Sequence, residues 1–241
     1  THVATERPVI LNTWEAVYFA HDLDTLSALA DRAAAVGVER FVLDDGWFLG
    51  RNDDRRALGD WVVDPAKWPA GLDPLIAHVR GLGMEFGLWV EPEMISPDSE
   101  LFRAHPDWGL VDPHHDPVRA RHQLVLDLTN PDAYEHIRQS LCSLLDDHDI
   151  SYLKWDMNRD LVAPTDSTGR AAGRAQTRAV YRLIDEIKRT HPDIEIESCS
   201  SGGGRIDLGI LTRTDRVWTS DCNDALDRIR IQRGASYLIP P

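Results

Sequence analysis

The sequence predicts an α/β fold of the (β/α)8 type, a TIM barrel, truncated before its last helix. Short apolar segments alternate with segments of helical periodicity, which is typical of parallel strands joined by right-handed crossovers. Eight strand candidates can be counted, and eight units close a barrel. The length of 241 residues is close to the ~250 of one barrel. An open doubly wound sheet is the alternative, but no glycine-rich dinucleotide motif follows the first strand.

The predicted strands are apolar along their bodies, and most have polar or aromatic residues at or just past their carboxyl ends. They cover residues 9–12, 41–43, 85–90, 124–127, 150–156, 194–198, 216–220 and 236–239. In such a barrel the strand bodies form the packed core, and the chemistry lies at the carboxyl ends. The fifth strand is the clearest example, because Tyr152 and Leu153 are followed by Lys154 and Asp156. The residues just past each strand are therefore the candidates for function.

Apolar residues recur at helical spacing between the strands, framed by start and stop signals. Asp22 can cap a helix with Leu26 and Leu29 on one face, and Gly37 can end it. Pro131 stands at the first position of a later helix, where proline is favoured. The predicted helices cover about residues 22–37, 72–83, 130–145, 180–191, 206–211 and 225–233.

Two connections, 48–69 and 95–118, are long for a compact domain, and loops of this length are usually functional. The first is rich in arginine and aspartate. Its part 51–56 is interpreted as a solvated surface.

Composition excludes several classes of partner. The formal net charge of −14 predicts no nucleic acid and no anionic membrane as partner, and it suits a neutral small substrate. No apolar run approaches the ~20 residues of a membrane span, and no signal peptide begins the chain. Cys142, Cys199 and Cys222 follow neither metal-ligand nor disulfide spacing, which predicts a reduced, cytoplasmic setting and no metal or other cofactor. Both ends look cut, so we expect a piece of a longer protein.

The candidates at the strand ends predict a pocket for a polyhydroxylated ligand. Carboxylates accept hydrogen bonds from sugar hydroxyls, and tryptophan offers an apolar face to the sugar ring, although about half of the tryptophans are expected to fill the core. The candidates from the strand ends are Trp14, Asp44, Asp45, Trp89, Arg121, Lys154, Asp156, Cys199, Gly202 and Asp221.

Asp156 and Asp221 are the best pair for glycoside cleavage, which normally needs two carboxylates that flank the bond. Lys154 lies two residues before Asp156, on the same side of an ideal strand, where its ammonium can hold a nucleophile ionised. Asp221 has no adjacent cation, as suits a general acid.

Simpler interpretations stand beside these. An aspartate at a strand end is often a cap or turn residue, and Asp44-Asp45-Gly46 resembles a turn. The glycine run 202–204 lacks the Lys-Ser/Thr of a phosphate loop, so close backbone approach or a tight turn is the better interpretation. His114-His115-Asp116 suggests a metal, but no third ligand is spaced for it.

Several segments together resemble one family, and they occur in its order. They are Asn12-Thr13-Trp14-Glu15, Leu43-Asp44-Asp45-Gly46-Trp47-Phe48, Trp61-Val62-Val63-Asp64, Lys67-Trp68-Pro69, Gly87-Leu88-Trp89-Val90-Glu91-Pro92-Glu93-Met94, Lys154-Trp155-Asp156-Met157-Asn158-Arg159, Glu197-Ser198-Cys199-Ser200-Ser201-Gly202-Gly203-Gly204-Arg205 and Trp218-Thr219-Ser220-Asp221. The chain resembles, nearly end to end, the catalytic barrel of bacterial-type glycoside hydrolase family 36 α-galactosidases.

The resemblance implies a retaining enzyme that releases terminal α-galactose from sugars such as melibiose and raffinose. Asp156 is then the nucleophile and Asp221 the acid/base. The other positions carried over bind the sugar: Trp14, Asp44, Asp45, Trp89, Arg121, Lys154, Asn158, Cys199 and Gly202. Residues 1–241 are the catalytic barrel; family members add an N-terminal β-sandwich and a C-terminal β domain, both absent here, and often form homotetramers.

Other hypotheses stay open. A transglycosylase of the raffinose-synthase kind or an α-N-acetylgalactosaminidase uses the same catalytic residues, and the 199–204 loop discriminates the latter because a 2-acetamido group needs room there. If the chain is a non-catalytic sugar-binding fragment, it has no turnover that a substitution of Asp156 could remove. A metal-dependent barrel enzyme predicts loss of activity with a chelator.

Overall fold

The computed structural model describes residues 7–239 and is built around a parallel sheet of six strands. The strands are β1 (Ile10–Asn12), β2 (Arg40–Leu43), β3 (Glu85–Val90), β4 (Met94–Ile95), β5 (Leu124–Val125), β6 (Tyr152–Trp155), β7 (Glu195–Ser198) and β8 (Arg216–Val217). The helices are α1 (Trp14–Val17), α2 (Leu23–Ala35), α3 (Asp73–Gly81), α4 (Glu100–Ala104), α5 (Pro131–Asp147), α6 (Gly173–Thr190), α7 (Leu208–Leu211) and α8 (Ala225–Ala235), with a 3₁₀ turn at Pro106–Trp108.

The strand order of the main sheet is β1-β2-β3-β6-β7-β8, and every pair in it is parallel. Sequence order and spatial order therefore agree from one edge to the other. A doubly wound sheet places its first strand inside the sheet, where the order reverses. The structure thus rules out the open alternative and keeps the singly wound progression of a barrel.

Contacts at the amino-terminal ends of the strands show that this sheet is curled. Arg40 on β2 donates from Nη2 to Glu195 on β7 at 2.7 Å, although β3 and β6 lie between these strands. In a flat sheet three strand spacings would separate them by about 14 Å. The curl also brings the edge strands β1 and β8 within reach of a side chain, because Arg216 on β8 donates to the carbonyl of Pro8, just before β1. The six strands therefore form a half-barrel.

The longer helices α2, α3, α5 and α6 bury apolar faces, as the periodicity predicted, whereas α8 buries none of its residues. In α2, Leu26, Ala30 and Ala33 are buried, and the Asp22 side chain caps the helix by accepting from the Thr25 N–H at 2.8 Å. The central strands β2 and β6 are buried along their whole length, whereas the edge strands β1 and β8 are only partly buried. Buried parallel strands have continuous apolar sequences for this reason. No helix among residues 7–239 combines the length and apolarity that a membrane crossing requires.

The predicted fourth strand, 124–127, is not a strand of the main sheet. Its residues form β5, which pairs antiparallel with β4, and β3 pairs directly with β6. Leu126 N–H donates to the carbonyl of Glu93 at 2.9 Å and Asp127 N–H to that of Trp108 at 2.7 Å. The backbone of 124–127 thus makes its hydrogen bonds with the connection after β3 and not with a neighbouring strand of the main sheet.

The predicted eighth strand, 236–239, is wrong. These residues continue past α8 in helical turns, with Leu238 N–H and Ile239 N–H both bonded to the carbonyl of Ala235. Tyr237 and Leu238 are exposed. The apolar run resembles a strand in composition, but local backbone bonds form in place of a ladder. Truncation before a last helix concerns the chain beyond the described residues and stays a prediction.

The long connection between β2 and α3 packs a cluster of apolar side chains, while residues 52, 53, 55 and 56 within it are exposed as predicted. Trp47, Phe48 and Leu58 are fully buried, and Trp61 packs on the same cluster, with its ring 4.8 Å from that of Phe48. The interpretation of 51–56 as solvated is wrong for Arg51, whose side chain is 2% exposed. Periodicity cannot reveal such burial, because the segment has neither helical nor strand spacing.

Replacing Arg40 tests the curl of the sheet. Arg40 is 3% exposed and bonds to both Glu85 and Glu195, so Arg40→Ala leaves the latter half-buried carboxylate with one cation fewer. We expect a loss of roughly 3 kcal/mol in the free energy of unfolding, the cost of breaking a buried ion pair. Unfolding in urea, followed by tryptophan fluorescence, measures it. The exposed helical Arg32→Ala serves as control and should cost less than about 0.5 kcal/mol; equal losses would contradict the role of Arg40.

Candidate active site

A cavity of about 1010 Å³ is lined by residues at the carboxyl ends of the parallel strands, and also by residues nearer their amino-terminal ends, such as Ile10, Tyr152 and Arg216. Of the eleven residues predicted for the site, nine line it: Trp14, Asp44, Asp45, Trp89, Arg121, Lys154, Asn158, Asp156 and Asp221. They come from separate chain segments, which only the convergence of strand ends brings together. Cys199 and Gly202 are not among the lining residues, but Cys199 interacts with Asp156 and Gly202 lies against the backbone of Ser220 and Asp221. The volume suits a small oligosaccharide.

Asp156 lies just past the end of β6, where its N–H donates to the carbonyl of Val90 on β3. Its side chain is held by three donors: Trp89 Nε1 at 3.1 Å and Asn158 Nδ2 at 2.7 Å bind Oδ2, and the N–H of Met157 binds Oδ1 at 2.8 Å. The residue is 6% exposed. The carboxylate therefore has a fixed orientation at the wall of the cavity, as a reacting group needs.

Lys154 binds Asp44 and not Asp156. Its Nζ donates to Asp44 Oδ2 at 2.7 Å, and no hydrogen bond joins it to Asp156 among residues 7–239. Burial disfavours the ammonium, but the nearby charges of Asp44 and Asp156 outweigh burial and raise the pKa of Lys154. The charges of Lys154 and Asp156 thus interact, whereas the hydrogen bond of Lys154 is made to Asp44; that the ammonium keeps Asp156 ionised stays a prediction.

Asp44, just past the end of β2, accepts three hydrogen bonds from its neighbours, which leaves about one of its four acceptor positions for a ligand. Besides Lys154, Asn12 Nδ2 donates to Oδ2, and the N–H of Asp45 donates to Oδ1 at 2.8 Å. The backbone N–H of Asp44 itself donates to Thr13 Oγ1 at 3.0 Å. The Asp-Asp-Gly segment has the local bonds of a turn, as one interpretation of the sequence held, and both carboxylates also line the cavity.

Glu91 is a buried carboxyl group that sequence reasoning did not select. It follows β3, is 1% exposed, and accepts at Oε1 from Gln123 Nε2 at 3.0 Å and from the backbone N–H of Asn158 at 2.5 Å. Burial, followed by the charge of Asp156, raises the pKa of Glu91 well above its usual range. Its place beside Trp89, at the carboxyl end of β3, was the signal available in the sequence.

Asp221 lies in an irregular segment after β8 and is exposed to solvent. Trp218 Nε1 donates to its Oδ1 at 2.9 Å, and Arg228 on α8 bonds to the preceding carbonyl, that of Ser220. Trp14 and Trp218 are the two tryptophans that are not buried, and both line the cavity. The other six fill the core.

The glycine run after β7 packs against the backbone segment that carries Asp221. Gly202 has φ +83°, and a Cβ there would lie 2.8 Å from Ser220 Cα and 2.9 Å from the N of Asp221. A Cβ on Gly203 would lie 2.6 Å from the carbonyl oxygen of Thr219. Close approach of two backbones thus requires these glycines. The sequence prediction of close approach in place of a phosphate cradle is confirmed.

Cys199 lies at the end of β7 with its N–H bonded to the carbonyl of Trp155, and it is 2% exposed. Burial and the charge of Asp156 raise the pKa of its thiol, so the group stays protonated. Within residues 7–239, no group of three or more histidine, cysteine or acidic side chains is arranged to hold a metal ion.

Comparison with known proteins gives a consistent result over the whole chain. The model of the melibiase family matches residues 1–241. An α-galactosidase of Escherichia coli is 58% identical over 235 residues, which cover 98% of this chain and 33% of the relative. The α-galactosidase AgaA of Geobacillus stearothermophilus is 46% identical over 240 residues, again 98% of this chain and 33% of the relative. The chain thus spans about a third of the length of these curated relatives.

Solved structures agree with the sequence relatives. The galactosidase domain of the α-galactosidase–sucrose kinase AgaSK superposes with a TM-score of 0.93 at 43% identity and covers 99% of this chain and 33% of that one. A variant of AgaA in complex with raffinose gives a TM-score of 0.93 at 44% identity, covering 98% and 33%. The half-barrel is therefore similar to the catalytic domain of glycoside hydrolase family 36 enzymes. The chain belongs to the melibiase family.

Proposed function

We propose that the protein is a retaining α-galactosidase, a glycoside hydrolase that releases terminal α-D-galactosyl residues from oligosaccharides such as melibiose and raffinose. The observation that carries the proposal is that Asp156 and Asp221 line one cavity, one carboxylate fixed by three donors and the other exposed at the rim. The names of the relatives, α-galactosidases, and the raffinose and stachyose in their solved complexes support it.

The proposed reaction has two displacements at the anomeric carbon. In the first, the Asp156 carboxylate attacks this carbon while Asp221 gives its proton to the departing glycosidic oxygen. In the second, Asp221 takes a proton from water, the water oxygen attacks the same carbon, and the bond to Asp156 breaks. The environments suit these roles, because Asp156 is buried and oriented whereas Asp221 is open to incoming water.

The remaining site residues are proposed to bind the galactosyl group. Asp44 and Asp45 accept hydrogen bonds from hydroxyls, the ammonium of Lys154 donates to a hydroxyl, and Trp14 packs on the ring. The other positions that match the family are assigned to the sugar pocket on the strength of the resemblance: Trp89, Arg121, Asn158, Cys199 and Gly202. None of these roles requires a metal or another cofactor.

For the whole protein we propose the arrangement that the resemblance implied. An N-terminal β-sandwich and a C-terminal β domain flank this catalytic barrel, and the protein acts as a cytoplasmic homotetramer. Size-exclusion chromatography with light scattering on the full-length protein tests the assembly, and a monomer would contradict it.

Replacing Asp156 should abolish hydrolysis. We expect Asp156→Ala to lower kcat for an aryl α-galactoside by roughly 10⁴-fold or more, because no covalent intermediate can form. Added azide should restore turnover by entering the space of the lost carboxylate, and the product should be the inverted β-galactosyl azide. Steady-state kinetics and product NMR measure both effects. Normal turnover by this variant would overturn the assignment of the nucleophile.

Replacing Asp221 should produce a loss that depends on the leaving group. Asp221→Ala removes the proton donor, so substrates with basic leaving groups such as melibiose should lose about 10²–10⁴-fold in kcat/KM. An aryl galactoside with an acidic phenol needs little protonation and should lose less in this parameter. Azide should now give the retained α-galactosyl azide. A loss equal for all leaving groups would argue against Asp221 as the acid.

Replacing Gly202 should act on the catalytic step through the position of Asp221. Gly202→Ala adds a methyl group that must displace the Ser220–Asp221 backbone, so we expect kcat to fall at least roughly tenfold. Gly83→Ala is the matched control, since Gly83 has the same φ of +83° with nothing within 4 Å of the added carbon. The control carries the same backbone strain, about 1–2 kcal/mol, without the clash. Equal activities of the two variants would contradict the account.

A further inference from the structure

Arg51 lies in the long connection after β2 and makes a two-pronged contact with Asp45. Its Nε donates to Asp45 Oδ1 at 2.9 Å and its Nη2 to Oδ2 at 2.8 Å. The arginine side chain is 2% exposed and that of the aspartate 9%. Parallel bonds from a guanidinium to both oxygens fix the plane of a carboxylate as well as its charge. Arg55, four residues on, is exposed.

Only the aspartate of this pair reaches the cavity. Asp45 is among the residues that line the cavity, and Arg51 is not. A carboxylate has about four acceptor positions on its two oxygens. The guanidinium takes one on each oxygen, which leaves about two positions for donors from the cavity. Such an acceptor suits two neighbouring hydroxyl groups of a hexose.

The charge of Asp45 depends on its neighbours. Burial raises the pKa of this carboxyl, Arg51 opposes the rise, and Asp44 and Asp156 add to it. A second cation, Lys67, also interacts with the charge of Asp45. Arg51 is thus the hydrogen-bonded cation that favours the ionised form, which accepts hydrogen bonds without donating any.

Arg51 is itself held rigidly. Its Nη1 donates to the carbonyl of Arg56 at 2.6 Å, and its own carbonyl accepts from Lys67 Nζ at 2.7 Å. The same ammonium also binds the carbonyls of Gly46 at 2.6 Å and Phe19 at 3.2 Å. Lys67 therefore links the segments that carry Phe19, Gly46 and Arg51. The guanidinium of Arg51 is thus held in position without a ligand.

We propose that Arg51 is a positioning residue for sugar recognition, which holds Asp45 as an ionised carboxylate with two acceptor positions for adjacent hydroxyls of the galactosyl group. The inference rests on the proposed function for the identity of the ligand. It assigns a role to an arginine outside the cavity, and it makes recognition depend on a buried pair rather than on Asp45 alone.

Binding of D-galactose to the full-length protein tests the proposal, with titration calorimetry between pH 5.5 and 8.5. We expect Arg51→Gln to weaken binding tenfold or more at pH 6, because the pKa of Asp45 rises when its cation is removed and the carboxyl becomes protonated. The deficit should shrink as pH increases and Asp45 ionises again. Arg55→Gln, in the same connection, should bind as the unmodified protein does.

Two further variants separate charge from geometry. Asp45→Asn should bind weakly at every pH, since its amide cannot ionise. Arg51→Lys keeps the charge without the fork, so we expect a loss of several-fold that does not change with pH. If Arg51→Gln is too unstable to purify, Arg51→Lys decides: a deficit as large as that of Asp45→Asn would overturn the proposal.

The outcomes also separate this inference from the proposed function. Hydrolysis of an aryl α-galactoside by the unmodified protein is measured in parallel, and its absence would count against the function. If the unmodified protein hydrolyses and binds galactose, an Arg51→Gln variant that binds equally well would overturn the inference alone. A deficit that stays the same from pH 5.5 to 8.5 would overturn it too.

Discussion

The ion pair between Lys154 and Asp44 joins the carboxyl ends of β6 and β2 across the mouth of the half-barrel, and the candidate site depends on it. The two side chains are 11% and 4% exposed, so both charges are largely removed from water. A buried pair of this kind persists only when further hydrogen bonds complete it, and Asn12 and the Asp45 N–H do so here. The strand ends that carry the sugar-binding candidates are thereby held together.

The other buried acids of the site are likewise paired with cations or hydrogen-bond donors. Asp45 is paired with Arg51, Asp156 is held by three N–H donors, and Glu91 bonds to the backbone of Asn158. Burying this many carboxyl groups in one place is costly unless each finds a cation, a donor or a proton. Asp221 is the exception, since it is exposed in an irregular segment. This contrast is consistent with the roles proposed for Asp156 as a fixed nucleophile and for Asp221 as a group that exchanges protons with water.

Much of this arrangement is encoded locally and can be predicted. Strands that are buried on both faces have continuous apolar sequences, so β2, β3 and β6 can be recognised from the sequence without knowing which strands they pair with. Because functional groups cluster at strand ends, nine of the eleven predicted residues line one cavity. The prediction of a strand at 236–239 was wrong, and residues 124–127 were wrongly placed in the barrel although 124–125 form the strand β5, because strand pairing depends on which backbone segments lie side by side. Arg51 was missed for a related reason: an arginine among acids looks solvated until the fold buries it.

The central claim is that Asp156 forms a covalent bond with the galactosyl group. The most direct measurement is to trap that intermediate in the full-length protein with a fluorinated α-galactosyl fluoride, which reacts quickly and hydrolyses slowly. After proteolysis, mass spectrometry locates the label. The account predicts one galactosyl ester, on Asp156. A label on any other residue, or steady turnover through a mechanism that inverts the anomeric centre, would contradict it.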